Sequence, residues 1–184
     1  LTTARPNGSI EGTSRATLER ATLREILMGA QDNLTNVLAV MLGVSIGAGR
    51  ADLVALAGTA AAVAEAVSMG GVLYSSTRAE RNRSHRDGDR DESDQGLTPV
   101  GSGLLTFVAA LLGGLLPLAP FAFLALPGAV AASVAVSLVA LFALGSWTGR
   151  ISGAVWWRDG LRMLAIAGTA AIAAAMVGNL LRVE

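Results

Sequence analysis

The chain has no cysteine, so it can form no disulfide and offers no thiolate to a metal. It has no lysine either: all 14 basic residues are arginine. Histidine occurs once, at position 85, which leaves no imidazole pair for a zinc site. Charge is scarce, at 15 % of residues, and it is segregated into a few segments. Residues 101–148 contain no charged side chain at all, a tract long enough for two bilayer crossings joined by a turn. No nucleophile constellation, phosphate-cradling glycine loop or zinc motif occurs, so an enzyme is not expected. No nucleic-acid partner is expected either.

What is present is apolar: 52 % of the 184 residues are hydrophobic and the mean hydropathy is +0.54. Such apolarity with so little charge points to the lipid bilayer as solvent. Five spans of near-transmembrane length can be read, at about 26–48, 53–75, 102–118, 127–147 and 161–181. Helices are the expected form, because lipid cannot satisfy unpaired backbone groups. The chain is therefore read as an all-α integral membrane protein with five transmembrane helices. Residues 1–22 form a polar, partly helical N-terminal segment, residues 23–182 the transmembrane domain, and 76–98 a cytosolic linker. The start lacks an apolar stretch, so no signal peptide is expected, and the missing initial Met is compatible with a trimmed chain.

Orientation is read from the arginines. With the N-terminus inside, the cytosolic segments hold every arginine except Arg50 and Arg182, which places the N-terminus in the cytosol and the C-terminus outside. Gly43 and Gly47 make a G-x-x-x-G, and Gly145 with Gly149 repeats it; such spacing lets helix backbones approach closely. The motif "PLAP" followed by "LPG" marks a bend between the third and fourth spans. The linker "RAERNRSHRDGDRDESDQG" has alternating aspartates, but Glu92 stands where a calcium loop requires glycine, so a solvated connection is expected.

Two carboxylates lie within the spans, Asp32 in "LMGAQDNLTNVLAV" and Glu65 in "VAEAVSMGG", and no arginine within a span neutralises either. A charged acid at the centre of a membrane helix costs about 2.5–3.5 kcal/mol on insertion scales, so such residues mark hydrated cavities, protonated hydrogen bonds or cation sites. Asp32 lies roughly 9 Å along the first span at about 1.5 Å per residue, and Met69 lies at a similar depth on the second. Glu65 and Met69 share a face at i, i+4, as do Met28, Asp32 and Asn36. Carboxylate and amide oxygens together with thioether sulfurs favour a first-row transition metal over magnesium or calcium. Against this stand bland alternatives: packing methionines, a hydrated Asp32 near the interface, a protonated Glu65, and Asn33 or Asn36 as interhelical glue.

The blocks "REILMGAQDNLTNVLAVMLGV", "AEAVSMGGVLYSSTRAER", "TFVAALLGGLLPLAPF" and "LRMLAIAGTAAIAAAMVG" resemble the vacuolar iron transporter family, from about residue 24 to 181. The resemblance implies a five-helix homodimer whose metal path runs between subunits, lined by the first two helices. It implies export of Fe2+ or Mn2+ from the cytosol by proton antiport, with the metal as transported substrate and no permanently bound cofactor. Asp32 resembles the family aspartate of the first block and Met69 the methionine of the second. Some relatives place the second-helix acid two turns before that methionine, where this chain has Ala61, while others share the arrangement that puts it at Glu65. The glutamate-rich cytosolic domain of well-studied members is replaced by the short linker.

On this reading the metal set is Asp32, Glu65, Met69, Met28 and Asn36, with Asp32 and Glu65 also coupling protons and Gly43 and Gly47 packing helices. Partners are the divalent ion, protons, the lipid bilayer and a second copy of the chain. A prokaryotic cytoplasmic membrane is favoured over a vacuole. The competing readings are an uncoupled cation channel or carrier, and a membrane assembly module that transports nothing.

Overall fold

Glycine and proline punctuate the chain. A computed structural model describes residues 8–87 and 97–182, with the side chains of 8–22 and 87 outside the description. Among the described residues the regular structure is helical: α1 (Gly8–Ala48), α2 (Ala51–Asp87), α3 (Pro99–Leu115), α4 (Leu126–Ile151) and α5 (Trp156–Leu180). Helix α1 stops at Gly49, whose φ of 62° needs a residue without Cβ and whose N–H donates to the Ser45 carbonyl. Helix α3 starts where Thr98 Oγ1 accepts the Gly101 N–H at 3.0 Å, with Pro99 at the first position. Pro117 and Pro120 turn the end of α3 into a 3-10 segment, Leu116–Ala122, which forms the expected bend.

Among the described residues four helices are long and apolar enough to cross a membrane: α2, α3 with its 3-10 continuation, α4 and α5. The fifth expected span, 26–48, is not among them, because Gln31, Asp32, Asn33, Thr35 and Asn36 crowd its first half. The packing explains how such a helix is accommodated. Helix α1 touches each of the other four, with α2 and α3 paired on one side and α4 and α5 on the other. Its polar stretch is thus partly sheathed by protein.

Residues 76–87 of the expected linker are helical, because α2 continues to Asp87. Residues 76–87 contain no glycine or proline, and arginine, alanine and glutamate are good helix formers. The remainder of the linker that carries the aspartate alternation, residues 88–96, lies outside the described residues.

Small residues set the helix crossings. A Cβ on Gly43 would lie 3.2 Å from the Ala174 carbonyl, and one on Gly47 would lie 3.1 Å from that of Gly178, so both face α5. Gly70 and Gly103 meet at the α2–α3 crossing in the same manner. Asn33 ties three helices together: it is fully buried, and its Nδ2 donates to the carbonyls of Ala62 on α2 at 3.0 Å and Ala110 on α3 at 2.8 Å. Of the two asparagines weighed as glue or ligand, Asn33 makes the interhelical bonds and Asn36 is exposed.

Candidate functional site

A cavity of about 250 Å³ opens between α1, α2 and α5. Helix α1 contributes Met28, Gln31, Asp32 and Thr35, which recur at the three- and four-residue steps that place side chains on one helix face. Helix α2 contributes Met69, and α5 contributes Met163 and Ile166. Met69 reaches α1 beside Gly29, where a Cβ would sit 3.4 Å from the Met69 methyl, in ordinary contact.

The cavity assembles one carboxylate, three thioethers, an amide and a hydroxyl. Gln31 is held in place, its Nε2 donating to Thr148 Oγ1 on α4 at 3.0 Å, while its Oε1 is buried without a hydrogen-bond partner. A buried amide oxygen without a donor is costly in a protein alone and is an acceptor open to a cation or a water. Thr35 Oγ1 donates to the Gln31 carbonyl at 2.9 Å, so it keeps its lone pairs for the cavity.

Three of the sequence-predicted ligands, Met28, Asp32 and Met69, therefore line one cavity. Glu65 and Asn36 do not. Glu65 is half-buried one turn along α2 from Met69, and Asn36 is exposed one turn along α1 from Asp32. The expected pairing of two acids is not made within one copy's cavity, because the opening reaches only the Met69 level of α2. Among the described residues no group of three or more histidines, aspartates or glutamates could hold a metal ion.

Sequence reasoning missed Gln31, Thr35 and Met163. The first two follow Met28 at i+3 and i+7 and were open to discovery by helical spacing; Met163 carries no local signal. It also missed Glu25, at the arginine-rich end of α1, where burial and the nearby Glu80 carboxylate push the Glu25 carboxyl above its usual range while Arg24 opposes them. Two acids, one from α1 and one from α2, thus lie near each other at the arginine-rich end of the bundle.

Asp32 and Asn36 are both exposed in the single chain, and Met28 is 47 % exposed, although all three lie within the fifth expected span, on the helix that packs against the four others. Acids at such positions face a bundle interior or a water-filled space. This stripe of α1 continues into an apolar groove against α5, of about 520 Å³, lined in part by Val40, Val44, Val177 and Leu181.

The VIT family profile matches residues 23–95 and 86–179. The chain is 31 % identical over 153 residues to vacuolar iron transporter homolog 2 of Oryza sativa subsp. japonica, covering 77 % of this chain and 81 % of that protein. It is 32 % identical over 153 residues to homolog 1 of the same plant, covering 77 % and 66 % respectively. With vacuolar iron transporter 1 the identity is 26 % over 186 residues, covering 71 % of this chain and 74 % of the relative. The sequence blocks, the multi-pass helical fold and these matches agree: the chain belongs to the VIT family of membrane transporters.

Proposed function

We propose that the protein carries a divalent transition metal, Fe2+ or Mn2+, out of the cytosol in exchange for protons, working as a homodimer. The observation that carries this reading is the cavity in which Asp32 meets Met28, Met69 and Met163 beside the unpartnered Gln31 oxygen. A carboxylate with neutral oxygens holds a hard or borderline cation, and thioethers shift preference away from calcium and magnesium. The iron-transporter names of the relatives support the same cargo.

A second copy is invoked because one cavity supplies a single acid. Two copies facing each other across the exposed α1 stripe bring two sets of donors together and cover Asp32 and Asn36 from lipid. Helix α1 then crosses the membrane as a fifth span, sheathed by its four neighbours and the partner, with the arginine-rich end in the cytosol. Carboxylates bind either a metal or a proton, so occupancy by one opposes the other. Glu65, one turn along α2, is assigned to the proton-loading path, and Glu25 with Glu80 to the cytosolic mouth. We assign the protein to a prokaryotic cytoplasmic membrane.

The test is transport into proteoliposomes with an internal pH dye, comparing iron, manganese, cobalt and zinc. Metal accumulation that is driven by an acid interior and raises internal pH supports antiport. Accumulation with no proton movement makes the protein an uncoupled carrier, and no accumulation of any metal removes the transport reading.

Met69→Leu keeps the volume and the packing against Gly29 but removes the sulfur. Its affinity for Fe2+ or Mn2+ should fall about tenfold, while weak binding of Mg2+ is unchanged. Isothermal titration in detergent measures both, and an equal loss for all ions would reduce Met69 to packing.

A further inference from the structure

A second cavity, of about 840 Å³, lies at the arginine-rich end of the bundle between α1, α4 and α5. Its lining changes character along α4. Arg150 stands at the mouth, Ser146 lies one turn in, and Phe142 with Ala143 lies a further turn in, each turn about 6 Å deep. Leu23 of α1 borders the mouth, about 12 Å along α1 from Gln31, which bonds Thr148.

Two observations point to a ligand. The Arg150 guanidinium is stacked 5.2 Å from the centroid of the Trp156 ring, and among the described residues no carboxylate pairs with it. The nearby Asp159 on α5 is paired with Arg162 at 3.7 Å. Trp147 and Trp156 line the cleft, while the Ser146 Oγ is buried against Gly160 of α5 and does not open into it. Tryptophan rings concentrate at the level of lipid headgroups, and basic pockets between membrane helices hold anionic headgroups.

We propose that this cleft is a binding site for one anionic phospholipid. The phosphate sits against Arg150, and one acyl chain runs along Phe142 and Ala143. The change from arginine to apolar lining down α4 matches a phospholipid's own change from charge to hydrocarbon. A free phosphate matches only its first step. The site shares no lining residue with the Asp32 cavity, so it stands or falls apart from the transport reading.

The full chain, purified in mild detergent, is titrated with phosphatidylglycerol or with phosphatidylcholine of the same acyl chains, and bound lipid is counted by native mass spectrometry. The wild-type protein should retain one phosphatidylglycerol at least about fivefold better than phosphatidylcholine. Arg150→Gln, an exposed position that leaves the packing intact, should abolish the preference. Ala143→Phe should displace both lipids by filling the acyl groove. Arg182→Gln, at the opposite end, should change nothing. Equal retention of both lipids by the wild type overturns the proposal, as does a preference that survives Arg150→Gln. Displacement of the bound lipid by millimolar inorganic phosphate also overturns it, because the site then belongs to a free anion.

Discussion

The Asp32→Ala protein should fold normally yet accumulate no metal, with transport reduced by at least about a hundredfold. The size of the effect follows from the composition of the cavity. Asp32 is the one carboxylate in its lining, so its removal leaves thioethers, an amide and a hydroxyl, none of which carries charge to balance a divalent ion. Stability should change little, because Asp32 is exposed in the single chain and makes no hydrogen bond to a neighbouring helix that the fold depends on. Asp32→Asn separates charge from size: it keeps the shape and one oxygen, and should be nearly as inactive. Metal flux into proteoliposomes, alongside a melting curve, reads both quantities. Wild-type flux in either variant would remove Asp32 from the path, and a collapsed melting temperature would make it structural.

The largest expected effect on stability comes from the adjacent residue. Asn33→Asp replaces an amide that donates to two carbonyls, Ala62 and Ala110, with a carboxylate of the same size aimed at the same two oxygens. At neutral pH this is an unpaired buried charge facing acceptors, a change that costs about 3–5 kcal/mol in comparable breaks of buried pairs. Asn33→Ala loses the two bonds but buries no charge. Interhelical bonds in membranes average about 0.6 kcal/mol each, so it should cost only about 1–2 kcal/mol once the small void is included. Thermal unfolding in detergent should therefore rank wild type above Ala above Asp. Equal melting of the Ala and Asp variants would mean that water reaches the site, contrary to the complete burial of Asn33.

These two neighbours show where local pattern stops being informative. Asp32, Asn33 and Asn36 lie within five positions of one polar stretch, and nothing in their identities separates a ligand from a staple. Position around the helix separates them: Asn33 faces α2 and α3, where Gly114 leaves room for its amide, while Asp32 and Asn36 face away from that core. The i, i+4 rule correctly grouped Met28 with Asp32, but the same rule linked Glu65 to Met69 although only Met69 borders the cavity. A shared face constrains direction around a helix axis, and one turn of about 6 Å along that axis is enough to leave a small opening.

Amino-acid order alone settled the solvent and the punctuation of this protein. Lipid demands long uncharged runs and confines arginine to the ends, and glycine and proline break helices by their own backbone chemistry; each of these acts on a short stretch and can be read there. Three-dimensional packing settled the rest. It set α1, whose first half is too polar to rank among the apolar spans, against all four other helices, brought Met163 and Met69 to Asp32 from opposite sides, and left a cleft running from arginine to phenylalanine beside two tryptophans. Such outcomes depend on which small residues let two backbones meet, and that is a property of pairs of helices far apart in the chain.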